Sequence, residues 1–152
     1  MISSMSKHNR LILGPSMTWY LAKTDPETYS LADLEREKKT IWDGVKNPQA
    51  LRAVRAMEKG DSVFIYHTGK DAAVVGVARV AGEARPDPKD PRAAVIEIEF
   101  EGRIEPPVTL AEIKASKLFN DWALVRQGRL STMEAPSSFA RWVKKLRPGS
   151  GV

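Results

Sequence analysis

Asp61-Ser-Val-Phe-Ile-Tyr-His-Thr68 is followed by Gly69-Lys-Asp71 and then by Val74-Val-Gly-Val-Ala-Arg-Val-Ala81. Both apolar runs are short and rich in β-branched and aromatic residues, and a glycine-led turn separates them. That pattern predicts a β-hairpin. A third run, Ala93 to Phe100, sets Val95, Glu97 and Glu99 against Ile96, Ile98 and Phe100. Such alternation marks a half-buried antiparallel strand. Consecutive antiparallel strands with short helices between and beside them predict an α+β fold built on a small barrel rather than a parallel sheet.

Upstream, Thr18 to Lys23 reads as a strand that stops before Asp25-Pro26, and Thr40-Ile41-Trp42 as a shorter one before the turn Asp43-Gly44. Ser30-Leu-Ala-Asp33 is a capping-box-like helix start. Asn47-Pro48 pairs an N-cap with a proline at the first helical position, opening a helix to about Lys59 that Gly60 stops. Downstream, Arg85 to Pro91 holds three prolines in seven residues and is expected to be irregular. Thr109-Leu-Ala-Glu112 is a second capping box. Arg129-Leu130-Ser131 reads as a short strand. Ser137 or Ser138 caps a last helix with Phe139, Trp142, Val143 and Leu146 at i, i+3, i+4 and i+7.

The 152 residues are 42% hydrophobic and 28% charged, the balance of one globular domain able to bury a core. Residues 1–16 and 147–152 read as flexible tails around a domain at 17–146, and a late start codon would equally explain the first segment. No run approaches a membrane span or a signal peptide. The formal charge is +5. Two of the basic residues lie in 1–16 and one in 147–152, so the domain itself carries only +2 and totals alone suggest no long basic groove. Without cysteine there is no disulfide, thiolate metal site or Cys nucleophile, and a cytoplasmic location is expected. His8 and His67 are the only histidines, too few for a metal site, and no phosphate loop or nucleophile elbow occurs. Neither a catalytic residue, a metal nor a cofactor is therefore expected.

Aromatic and polar residues coincide at strand ends. Lys23-Thr24 ends one strand, Trp42 precedes Asp43-Gly44-Val45-Lys46-Asn47, and Tyr66-His67 ends another. This arrangement can form an aromatic slot with a polar rim, suited to a planar heterocycle. Trp42 reads equally as a core residue.

Six ordered blocks carry a more specific signal: Trp19-Tyr-Leu-Ala-Lys-Thr-Asp-Pro26, Trp42-Asp-Gly-Val-Lys-Asn47, Tyr66-His67-Thr68, Val75-Gly-Val-Ala78, Leu124-Val-Arg-Gln127 and Arg129-Leu-Ser131. Together they resemble the EVE domain of the PUA-like superfamily, which is similar to the YTH readers of methylated adenine. The resemblance spans about 17–146. It implies a pseudo-β-barrel with flanking short helices and a non-catalytic pocket for a modified base, a modified cytosine in DNA or a modified base in RNA. Carried onto this chain it assigns the base pocket to Lys23, Thr24, Trp42, Asp43, Val45, Asn47 and His67. Two departures stand out. Thr24-Asp25-Pro26 replaces the usual Ser-Glu-Pro and keeps hydroxyl and charge, and the segment between Ala81 and Ala93 is short, which puts contacts made there in doubt.

The expected molecule is a monomeric nucleic-acid binder, with Arg52, Arg55, Arg126 and Arg129 as candidate phosphate contacts. Arg52 and Arg55 equally suit a solvated helix face. Two alternatives stay open: a regulatory module holding a small metabolite, and a hydrolase pairing His67 with Asp43, which needs those side chains within hydrogen-bond reach.

Overall fold

In a computed structural model of the chain, the described residues are 17–150 and 152. The expected N-terminal tail, residues 1–16, lies outside them. Strand β3 (Ser62–His67) is central, with five of its six residues buried. On one side it pairs antiparallel with β4 (Ala73–Val80), as the hairpin pattern predicts. On the other it pairs parallel with β1 (Trp19–Thr24), Trp19 opposite Ser62 and Thr24 opposite His67. Beyond β1 lies β7 (Thr132–Ala135), antiparallel, and beyond β4 lies β6 (Asp90–Thr109), which carries β2 (Lys39–Trp42) on its far side. The strand order is β2-β6-β4-β3-β1-β7, with β5 (Arg85–Asp87) paired to β6. The α+β class stands. The sheet is mixed, and β2 and β7 do not pair, so the expected barrel is open.

The Arg85–Pro91 segment corrects an expectation. It is regular: β5 and the start of β6 form a hairpin with Asp87 opposite Asp90. Pro86 is tolerated because β5 is an edge strand, where a missing N–H costs no ladder bond. Strand β6 is also far longer than the eight residues read from its alternation. Register shifts against β4 at Val74/Gly76 and Val77/Ala78 re-aim its faces and hide the period.

Helix α1 (Leu31–Glu37) has the capping box expected at Ser30 and Asp33, and it buries Leu31 and Leu34. It packs against β6 and β2. Gly76 on β4 permits that approach, since a Cβ there would lie 2.7 Å from the Leu31 methyls and 2.8 Å from the Gly102 carbonyl. Helix α2 (Pro48–Ala56) is capped by Asn47 and ends earlier than expected, at Met57. Its buried face of Ala50, Leu51 and Val54 meets both β6 and β7, so it spans part of the opening.

Helix α3 (Leu110–Ser116) starts at the Thr109 box. Helix α4 (Ala123–Arg126) has no side-chain cap and no sequence signal foretold it. Helix α5 (Ser137–Leu146) follows Pro136 rather than a serine cap. It buries Phe139, Ala140 and Val143, whereas Leu146 is 38% exposed. The buried stripe is rotated from the expected one because Phe139 is gripped by Phe64 on β3 and by Phe119 and Trp122. The strand expected at 129–131 begins three residues later, at Thr132. Near the C-terminal end of the described residues, the Arg147 guanidinium donates to the Pro106 carbonyl at 2.7 Å and meets Glu112 at 3.2 Å, and Ser150 is buried. No helix among the described residues is long and apolar enough to cross a membrane.

Candidate functional site

Where β2 and β7 fail to meet, a cavity of about 420 Å³ opens, within the range of small-molecule sites. Three strand ends supply its walls. Thr40, Ile41 and Trp42 come from β2, Lys23 and Thr24 from the end of β1, and Ser131 and Thr132 from the start of β7. Thr28 and Tyr29, between β1 and α1, complete it together with the Asp43-Gly44-Val45 turn. Gly44 has φ +80°, a backbone region that a side chain resists. The chain can therefore reverse at once after Trp42 and place Val45 under the cavity, where it is buried.

Five of the seven residues assigned to the pocket line it: Lys23, Thr24, Trp42, Asp43 and Val45. Trp42 is half-buried, with the Tyr29 ring edge-on to it at 6.1 Å. The Lys23 ammonium donates to the Gly128 carbonyl at 3.0 Å and lies 5.4 Å from the centre of the Tyr66 ring. Burial lowers its pKa. The Thr24 hydroxyl donates to the Tyr29 carbonyl at 2.7 Å, which leaves its oxygen as an acceptor.

The fold places Asn47 and His67 apart from the cavity lining. The Asn47 carboxamide oxygen accepts from the Gln49 and Ala50 amides at 2.8 and 3.1 Å, so that oxygen serves as the α2 cap. His67 Nε2 accepts from the Leu31 amide at 3.0 Å and holds the start of α1. Neither lines the cavity. Burial, then the positive Arg103 nearby, lowers the His67 pKa, keeping the ring neutral as that bond requires. The hydrolase alternative needed His67 beside Asp43, and the fold does not bring the two together at the cavity. Among the described residues no three His, Cys, Asp or Glu side chains converge as a metal site.

Sequence reasoning did not assign Thr28, Tyr29, Thr40, Ile41, Gly44, Ser131 or Thr132 to the pocket. Ser131 and Thr132 reach the cavity only through β1–β7 pairing, more than a hundred residues from Lys23, and no local pattern announces that. Tyr29 donates to Glu37 at 2.6 Å. Burial first, then that carboxylate, raises its pKa. Thr132 is 1% exposed and its hydroxyl lacks a hydrogen-bond partner.

Past Asp43 and Gly44 the surface continues into a trough with Lys46, Lys89 and Arg92, and from there to Arg52 and Arg55. The acids within it are engaged by their own hairpin: Asp87 accepts from the Lys89 amide, and Asp90 from the Arg92 amide and guanidinium. Arg55 donates to the Arg92 carbonyl at 2.7 Å, tying α2 to the β5–β6 hairpin. Arg126 pairs with Asp121 at 3.7 Å, and Arg129 is exposed. Neither lines the slot or the trough.

The profile of the EVE domain matches residues 18–146. Human thymocyte nuclear protein 1 is 28% identical, over 63% of this chain and 55% of its own length, so the chain spans about half the length of the curated relatives it matches. A Rhodopseudomonas palustris protein solved by NMR superposes with a TM-score of 0.81 at 30% identity, covering 87% of this chain and 94% of that one. Human thymocyte nuclear protein 1 in complex with DNA containing 5-methylcytosine shares the fold, with a TM-score of 0.78 at 24% identity over 85% and 96% of the two chains. A match over nearly all the described residues, with the blocks Trp19–Pro26 and Trp42–Asn47 inside it, makes this chain a member of the EVE domain family.

Proposed function

We propose that this EVE domain binds a modified nucleobase without altering it, with modified cytosine in DNA the first candidate and a modified RNA base the second. Trp42 carries the reading. A half-buried indole beside a cavity with ample room for a heterocycle offers a stacking face, and it is flanked by Lys23, Thr24 and Asp43. Stacking of a base on an aromatic ring is worth ~1–3 kcal/mol. The relative bound to 5-methylcytosine DNA supports the ligand class. A cavity among strand ends cannot admit a base that remains in a duplex stack, so a duplex target must extrude it. Lys46, Arg52, Arg55, Lys89 and Arg92 in the adjoining trough are suited to the flanking phosphates. Arg126 and Arg129, outside both concavities, are weaker candidates.

The test is a binding panel of DNA and RNA oligonucleotides, each with one methylated, hydroxymethylated or unmodified cytosine or adenine, at one fixed salt concentration. The wild-type chain is expected to prefer a modified base. Trp42→Ala is expected to lose that preference while remaining folded. Equal affinity for every base in the panel would overturn the reading.

A further inference from the structure

The cavity lies at the one strand pairing the sheet lacks. β2 and β7 are the two ends of the strand order, and Ile41 from one and Thr132 from the other both line it. Along an antiparallel ladder, residues that exchange backbone hydrogen bonds with the neighbour alternate with residues whose N–H and C=O point the other way. One bond fixes the phase at each end. The Phe100 amide donates to the Lys38 carbonyl at 2.8 Å. Thr40 and Trp42 therefore bond toward β6, and Ile41 directs its N–H and C=O to the open side. The Lys23 amide donates to the Ser131 carbonyl at 2.8 Å, so Met133 bonds toward β1 while Thr132 and Glu134 face outward. The Glu134 carbonyl agrees with that phase, because it accepts from the Trp122 indole N–H at 2.9 Å. Among the described residues no backbone bond uses the outward groups of Ile41 or Thr132. The Thr132 hydroxyl, fully buried, is unpartnered as well. A buried polar group is normally satisfied, which singles out the Thr132 hydroxyl; Ile41 is 39% exposed, and its outward groups stand open at the same cavity.

We propose that the base itself supplies the missing pairing. Its hydrogen-bonding edge lies between the two strand ends, bonded to the Ile41 backbone on one side and to Thr132, through backbone or hydroxyl, on the other, while Trp42 stacks on its face. The inference rests on the base-reader reading and specifies which edge of the base that reader holds. An outward strand residue offers one donor and one acceptor, so the matching ligand carries both on one edge. Cytosine does, and a methyl at C5 leaves its pairing edge intact, whereas a methyl at N3 removes the edge acceptor. A peptide strand is the poorer occupant. β2 and β7 have four residues each, and α2 already spans part of the opening.

Two measurements on the full chain test this. In an NMR titration with a single-stranded DNA carrying one 5-methylcytosine, the Ile41 and Thr132 amide protons are expected to move downfield and exchange more slowly. Ile41→Pro removes the outward donor, and an edge-strand position facing away from the ladder tolerates proline. It is expected to weaken binding of that oligonucleotide about tenfold or more, and Thr132→Val to weaken it in the same direction. A 3-methylcytosine oligonucleotide is expected to bind no better than an unmodified one. If the wild type prefers 5-methylcytosine and its Trp42 signals shift while the Ile41 and Thr132 amides do not, the bridging geometry is wrong and the reader reading survives. Should Ile41→Pro fail to fold, the amide shifts decide. No preference for any modified base overturns both.

Discussion

Asn47 and His67 show how backbone groups claim polar side chains beside a cavity before any ligand can. Asn47 satisfies two amides that α2 leaves open, so Asn47→Ala is expected to cost about 1 kcal/mol of stability. Oligonucleotide affinity should be unchanged, because the side chain does not reach the slot. Urea unfolding and one binding isotherm on the same variant check both halves. His67 must stay unprotonated at Nε2 to accept from Leu31. Folding lowers its pKa below the ordinary 6.5, so as the pH falls the unfolded chain takes the proton first. The His67 contribution is thus whole above about pH 6.5 and is lost as the pH falls through the folded value. Melting temperature should drop from pH 7 to pH 5 in the wild type and drop less in His67→Gln. An equal drop in both would assign the loss to carboxylates instead. Lys23, Thr24, Trp42, Asp43 and Val45 were legible because two contiguous blocks hold them. Asn47 was legible twice, as a helix cap and as a family position, and the cap is the role the fold gives it. Tyr29 and Thr132 carried no signal, since their place depends on which strand ends meet.

At the scale of elements, helical spacing in α5 correctly announced a helix but not the orientation of its buried face. Four apolar positions gave a stripe centred between Phe139 and Leu146, and aromatic partners from β3 and the α3–α4 region selected Phe139, Ala140 and Val143 instead. Phe139 is 0% exposed and touches four other rings. Phe139→Ala is therefore expected to cost about 3–5 kcal/mol, the range for a buried aromatic. Trp142, half-buried at the edge of the same cluster, should cost clearly less when truncated. Chemical denaturation of the two variants ranks them, and a larger loss for Trp142 would mean that the stripe faces the core as its spacing suggested. The hairpin β3–β4 was legible because alternation, β-branched residues and a glycine turn all agreed. The β5–β6 hairpin was not, because proline density masks an edge strand whose partner tolerates it. The parallel β1–β3 pair was equally hidden: the crossover between its strands contains a strand, β2, that joins the opposite end of the sheet.

For the whole molecule, boundaries and charge are the open quantities. Arg147 and Ser150 are packed, so a chain of residues 17–152 should melt with the full chain, while one ending at Leu146 should melt lower. Equal melting of all three would show that those contacts add nothing. Charge is the larger matter, because a net +5 over 152 residues says little until it is placed. The trough gathers Lys46, Arg52, Arg55, Lys89 and Arg92 beside the slot, and the aspartates among them are held by the β5–β6 hairpin. Phosphates lying there would release counterions, and affinity would fall with salt by about one power for each phosphate engaged. Slot and trough then separate cleanly in their effects. Lys46→Gln with Lys89→Gln should weaken modified and unmodified oligonucleotides by the same factor and flatten the salt dependence by about one to two powers. The ratio between modified and unmodified affinity, set in the slot, should stay where it was. Trp42→Ala should do the reverse, collapsing the ratio with the salt slope intact. Affinities of both variants for paired oligonucleotides across a salt series measure the two quantities at once. If neutralising the lysines changed the ratio and left the slope alone, the trough would belong to base reading, and the phosphates would lie elsewhere on the surface.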